Sequence, residues 1–286
     1  MFCLLSSGCS RPGKVLGEQI TELELPTDIE VAFNHRSENR YQSPLSDQWR
    51  NGDNLEQILI DAIESAESEI VVAVQELSLP SIAKSLVGAS HRGVAVKVIL
   101  ENNYSTPWSQ LHELELDTHE RQRLKHLRAL ADQDKNGVLS PREKRNSDAL
   151  LILQEASIPW IDDTEDGSKG SGLMHHKFVV IDSQRVITGS ANFTNSGMHG
   201  DARATRTRGN VNHLLSIKSP TLAAVFKDEF AQMWGDGPGG SNDSRFGRDK
   251  DSQTLKTVKV GSAKIEVLFP PHSKTIQGHG LDVIQD

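Results

Sequence analysis

The chain has 286 residues, enough for one large α/β domain or for one domain and part of another. Its formal net charge is −8, with acidic and basic residues mixed, which describes an ordinary soluble globular protein and lacks the basic field of a general nucleic-acid binder. Both cysteines, Cys3 and Cys9, stand near the first residue, so neither a disulfide framework nor a zinc site is available, and no later apolar run approaches a membrane span.

Met1 to Ser10 runs apolar, then small, then Cys. It is similar to the end of a bacterial lipoprotein signal with Cys9 as the lipidated, membrane-anchoring residue, which would place the protein in the cell envelope. The basic start and most of the apolar core of such a signal are absent, and Ser6 stands where Leu is preferred. The alternative is a short N-terminus without lipid and a cytoplasmic protein. Residues 1–27 are read as signal remnant and tether. Ile29 to Phe33 alternates as a strand does, and residues 34–52, rich in Asn, Ser, Pro and Gly, are expected to be loop. Asn54 is placed to cap a helix from Leu55 to Ala66, whose apolar residues share one face. Glu69 to Val74 reads as a buried strand, Ser78 to Gly93 as a helix and Val94 to Leu100 as another buried strand. This alternation of strand and helix implies an α/β sandwich.

A helix is expected from about Leu111 to Ala131, followed by the acidic run Asp132 to Glu143 and a further apolar-periodic segment, Ala149 to Ala156. The acidic run resembles an EF-hand calcium loop. Asp132, Asp134 and Asn136 stand at its first, third and fifth positions, and Gly137 allows the sharp turn. Val138 offers a carbonyl, Leu139 is the apolar residue beside it, Ser140 acts through water, and Glu143 is the bidentate carboxylate. The resemblance implies one calcium ion bound by hard oxygens, structural or regulatory in role. The plain alternative is an acidic surface loop that binds nothing. Ser157 to Asp162 reads as an edge strand or turn.

Residues 174–195 carry the chemistry. Phe178 to Ile181 and Val186 to Thr188 are short strand-like runs joined by a turn-like Asp182-Ser183-Gln184. Side chains alternate along a strand, so His175 and Lys177 share one face, His176 takes the other, and Ser190 and Asn192 fall together. An imidazole, an ammonium, a hydroxyl and an amide suit an anionic, oxygen-rich group such as a phosphodiester. The Lys is a point charge, the Ser and Asn are donors, and the His is a nucleophile or proton carrier. A buried strand pair with one core His and a snorkelling Lys is the structural alternative.

The spacing His-x-Lys, four residues, Asp, six residues, Gly-Ser-x-Asn resembles the motif of the phospholipase D superfamily. His175, Lys177, Asp182, Gly189, Ser190 and Asn192 meet it without departure. The resemblance implies a mixed sheet flanked by helices, with the EF-hand-like stretch, about residues 111–156, as a helical insertion. It also implies metal-free phosphodiester chemistry through a phosphohistidine. His175 would be nucleophile or acid/base, Lys177 and Asn192 would hold the phosphate, and Ser190 would orient the site. Asp182 completes the catalytic signature, its own part being support or anchoring of nearby groups. His176, on the other face, is expected to pack or to support.

Val211 to Ile217 reads as a strand whose Asn212 either reaches the site or stays in the ladder, and Pro220 opens a helix to Trp234. Residues 28–234 would form the phospholipase D-like domain and 235–263 a Gly/Ser-rich linker. Ile265 to Phe269 matches Ile29 to Phe33 at four of five places, so 264–286 reads as the start of a second, truncated half. With a single motif, the resemblance implies that a full site needs a homodimer or a covalent second half. Arg203, Arg206 and Arg208 either line a locally basic cleft or sit in a solvated loop. The substrate expected is a phospholipid, with nucleic acid as alternative. A catalytically incomplete, calcium-binding envelope module is the reading without turnover.

Overall fold

The computed structural model describes residues 24–45, 47–168, 173–200, 210–251 and 254–270. Cys9 and the tether up to residue 23, Arg203, Arg206, Arg208 and the tail beyond residue 270 lie outside the described residues. In chain order the elements are β1 (Ile29–Phe33), β2 (Arg40–Gln42), β3 (Trp49–Asn51), α1 (Leu55–Glu64), β4 (Glu69–Val74), α2 (Pro80–His91) and β5 (Ala95–Leu100). Then come α3 (Thr118–Ala131), α4 (Pro141–Ser147), α5 (Ala149–Glu155), β6 (Trp160–Asp162), β7 (Lys177–Ile181) and β8 (Arg185–Gly189). The last are α6 (Asn195–Met198), β9 (His213–Lys218), α7 (Pro220–Trp234), β10 (Lys256–Val260) and β11 (Ala263–Val267).

Seven strands form one mixed sheet in the order β1-β9-β8-β7-β4-β5-β6. Strands β4, β5 and β6 are parallel, and the others pair antiparallel. The expected α/β fold with a mixed central sheet flanked by helices is what the chain forms. The central strands read as unbroken apolar runs because both faces are covered. Along β4, Ile70, Val72 and Val74 enter a core with α1, α2 and α5, while Val71 and Ala73 enter a second core with α7. Asn54 caps α1 by accepting from the Gln57 amide at 3.2 Å. Among the described residues no helix is long and apolar enough to cross a membrane.

Three expectations are corrected. The loop 34–52 contains a small antiparallel hairpin, β2–β3. The helix expected from Leu111 begins at Thr118, because Asp117 and Glu120 form a reciprocal capping box there that ends the preceding irregular segment. The linker 235–263 contains β10, which pairs with β11 from Lys256–Val267 to Val260–Ala263, so Ile265 and Val267 belong to a hairpin with its own partner strand. Val258, Val260 and Phe269 from this region are buried in the second core, against Phe226 and other residues of α7. The five-residue repeat therefore occupies two different settings: β1 is an edge strand of the large sheet, and β11 is half of a separate pair.

Candidate functional site

Antiparallel pairing brings the C-terminal ends of β4 and β8 to the N-terminal ends of β7 and β9 at one edge of the sheet. Lys177, Gly189, Ser190 and Asn192 of the motif gather there. Lys177 shares its face with Val179 of the first core, whereas His176 shares its face with Phe178 of the second. His176 accordingly turns to α7, where its Nε2 lies 2.9 Å from Glu229 Oε1. Lys250 also pairs with Glu229, whose side chain has no exposure. Burial pushes the Glu229 carboxyl up, but the His176 hydrogen bond and the Lys250 charge outweigh it and hold it below the usual range.

Lys177 Nζ donates to Gln75 Oε1 at 3.4 Å and to the His175 carbonyl at 3.0 Å. Asn192 Nδ2 donates to the same Gln75 oxygen at 3.1 Å. An ammonium has three N–H groups, so Lys177 keeps one for a ligand. Asn192 Oδ1 is buried with no partner among the described residues. Burial pulls the Lys177 ammonium down to about 8. His175 is exposed beside it. Its imidazole is held below the ordinary range, first by burial and then by the charges of Lys177 and His176.

Ser190 Oγ donates to Asn212 Oδ1 at 2.8 Å, accepts from the His213 amide at 3.2 Å and lies 3.3 Å from His213 Nδ1. Asn212 is thus tied to Ser190 as well as to the Gly197 carbonyl, rather than left in the ladder. The residue before Ser190 has to be glycine: a Cβ on Gly189 would lie 2.1 Å from the His213 carbonyl oxygen, so any side chain would push β8 and β9 apart.

Asp182 stands apart from this group. It sits in the β7–β8 turn, about 16 Å from Lys177 at ~3.3 Å of rise per residue. Asp182 and Ser183 adopt φ of 52° and 54°, the left-handed region that Asp tolerates better than most residues. The Asp182 carboxylate accepts from the amides of Glu67, Ser68 and Glu69 and from the Ser68 hydroxyl, at 2.7–3.2 Å. Burial pushes this carboxyl up, but the four donors hold it below the usual range. Its work is to lock the turn to the start of β4.

Gln75 and His213 belong to no motif in the sequence. Gln75 follows a buried strand and His213 opens one, and the only signal is a polar residue at a strand end. That signal has no meaning until the strand order is known.

The acidic run lies apart, between α3 and α4. Carboxylate oxygens of Asp132, Asp134 and Glu143 all fall within 4.8 Å of one another. Asp132 accepts from the Asn136 and Gly137 amides, at 3.1 and 2.9 Å, and Asn136 Oδ1 accepts from Val138. Gly137 takes φ +81°. Ser140 caps α4, and its hydroxyl and amide, with the Gln133 amide, hold the Glu143 carboxyl below the usual range. Leu139 packs against the small core formed by Trp108, Leu124 and Ala131.

The profile of the family described as cardiolipin synthase, phospholipase D-like domain, matches residues 59–234. A mitochondrial cardiolipin hydrolase of Xenopus tropicalis is 25% identical over 170 residues, 59% of this chain and 56% of that protein. A phospholipase D of Rickettsia bellii is 26% identical over 178 residues, 62% of this chain and 60% of that protein. The chain thus spans less than two thirds of the length of these curated relatives. Among solved structures, a phospholipase D family member, Nuc from Salmonella typhimurium, overlays with a TM-score of 0.41 at 20% identity, covering 73% of this chain and 95% of that one.

Proposed function

This chain belongs to the cardiolipin synthase, phospholipase D-like domain family, and from that premise we propose that it is a phosphodiesterase acting on phospholipid through a phosphohistidine at His175. The observation that supports this most is the convergence of Lys177 and Asn192 on Gln75 beside an exposed imidazole. A phosphate oxygen would displace Gln75 as acceptor and draw on both donors at once. Such fixed donors stabilise charge that develops at phosphorus.

An imidazole nitrogen of His175 attacks phosphorus, an N–P bond forms, and the ester P–O bond breaks. The departing alkoxide takes a proton from a second imidazole, which then removes a proton from water. The hydroxide so formed attacks phosphorus and frees His175. The second imidazole comes from a partner copy or from a covalent second half. Ser190, held by Asn212 and His213, orients the site. Relatives named as cardiolipin hydrolase and phospholipase D support a phospholipid substrate, and lipidation at Cys9 would keep the enzyme at its membrane. Asp132, Asp134, Asn136, the Val138 carbonyl, Ser140 and Glu143 would hold one calcium ion, whose part is to brace the α3–α4 insertion. The three clustered carboxylates fit that ion.

The test is a rapid acid or denaturant quench during turnover of a labelled phosphatidyl substrate by the full chain, followed by peptide mass spectrometry. An adduct on the peptide carrying His175, absent in His175→Asn, is expected. Turnover with no adduct would overturn the mechanism. Cleavage of oligonucleotides but not of phospholipid would move the substrate to nucleic acid.

A further inference from the structure

Strand β4 ends at Val74 and α2 begins at Pro80, so residues 75–79 cross from one to the other outside any helix. This segment is the backbone neighbour of the phosphate-holding group. The Gln75 amide donates to the His176 carbonyl at 3.1 Å, and the Glu76 carbonyl accepts from the Phe193 amide at 3.0 Å. The Ser78 and Leu79 amides both donate to the Phe193 carbonyl, at 3.0 and 3.1 Å. His176 precedes Lys177 and Phe193 follows Asn192. A shift of this segment therefore moves both donors together with Gln75, which accepts from them.

The next side chain, Glu76, carries a negative charge. Its α-carbon is about 3.8 Å from that of Gln75. A carboxylate so close to a site for an anionic group opposes the ligand unless it is balanced. The balance comes from outside the sheet. Arg123, on α3, donates from Nε to Glu76 Oε1 at 2.7 Å, and the two side chains are only 18% and 16% exposed.

The Arg123 guanidinium also stands 4.9 Å over the Tyr104 ring, which fixes it from a second side. Helix α3 is itself seated by Leu124 and Ala131 in a small core with Trp108, apart from the two cores of the sheet. The ion pair thus ties α3 to the edge of the sheet at the residue next to Gln75. A fully exposed ion pair contributes little. This one is largely desolvated, and removal of one partner alone leaves an unbalanced charge beside the phosphate site.

We infer that Arg123 is a positioning residue for the phosphate site: through Glu76 it holds Gln75 in place, and it cancels a carboxylate that would repel a phosphate at Lys177 and Asn192. The inference rests on the phosphodiesterase reading of that site. The two partners stand 47 residues apart, so only the fold brings them together.

Inorganic phosphate titrated into the isotope-labelled full chain, followed by NMR at the Asn192 side-chain amide, measures the site without turnover. Arg123→Gln is expected to raise the phosphate dissociation constant about tenfold, and Arg123→Lys, which keeps the charge but not the stacked fork, by less. Glu76→Gln alone should bind phosphate at least as tightly as the native chain. The double variant, Arg123→Gln with Glu76→Gln, should recover most of the loss, because no carboxylate is then left to repel the ligand. Melting curves report the folding of each variant. Native affinity in a folded Arg123→Gln would overturn the inference, as would the absence of any saturable shift in the native chain. A double variant as weak as the single one would also overturn it, since the pair would then be structural only. Should Arg123→Gln not fold, Arg123→Lys is compared with Glu76→Gln: weaker binding in the former is expected, and equal binding would overturn the inference. The kcat/KM for a soluble phosphodiester should follow the same order, with the loss carried by KM. Phosphate binding that follows this order in a chain that cleaves no phosphodiester would refute the phosphodiesterase reading and leave Arg123 as the positioning residue of a phosphate-binding site.

Discussion

His176 Nε2 lies 2.9 Å from Glu229 Oε1 on α7, across the sheet from the face that carries Lys177. The proposed mechanism therefore gives chemistry to His175 and leaves its neighbour His176 to packing. His175→Asn is expected to lower phosphodiester turnover by about 10³-fold or more, with folding intact. His176→Asn should keep most of the turnover and lose about 1–3 kcal/mol of stability, because Glu229 loses a buried partner. Equal losses of activity in two folded variants would show that the strand register does not separate their roles.

The proposed mechanism requires His175 neutral and Lys177 charged in the free chain. Burial holds the His175 imidazole below its ordinary range and brings Lys177 to about 8. kcat/KM is expected to rise with pH on an acid limb below the usual imidazole value, and to fall above about pH 8 as Lys177 loses its proton. Lys177→Arg should remove the alkaline limb, since guanidinium stays charged, whatever it does to the maximum. An alkaline limb unchanged in that variant would assign it to another group.

Asp182 acts on stability. Its folded carboxyl is held below its unfolded value, so its contribution is present above the unfolded value, near pH 4, and is lost as pH falls through the folded one. Asp182→Asn should lower stability at pH 7 by about 2 kcal/mol, leave it less sensitive to acid, and leave kcat close to native. Denaturant titrations at pH 7 and at pH 3 measure both effects. A large fall in kcat with unchanged stability would return Asp182 to the catalytic set.

Calcium should bind the α3–α4 loop at one site per chain and raise the melting temperature. Glu143→Gln should weaken that binding strongly, since the residue supplies two of the ligand oxygens in such loops. Phosphodiester turnover should survive chelation at least in part, because Lys177 provides its own charge. Calorimetry that shows neither heat nor a shift in melting temperature would remove calcium from the account.

Much of the fold can be read from local pattern. β1 follows from alternation, β4 from an unbroken apolar run and the start of α7 from Pro220, and the β7–β8 turn follows from Asp182-Ser183-Gln184. Parity alone separates His175 and Lys177 from His176. These are properties of neighbours in the chain, and backbone geometry transmits them directly.

What strand order decides is of another kind. Gln75 joins Lys177 because β4 pairs with β7, and His213 reaches Ser190 because β9 pairs with β8. Asp182 leaves the site because five residues of extended chain carry it to the far end of the sheet. Lys256–Val260, read as linker, becomes a strand because β11 offers it a partner and α7 offers its apolar residues a core. Periodicity tells a residue which face it takes, but not which face of which neighbour it will meet. That choice is made by burial and hydrogen bonding between segments far apart in sequence, so it belongs to the tertiary structure alone.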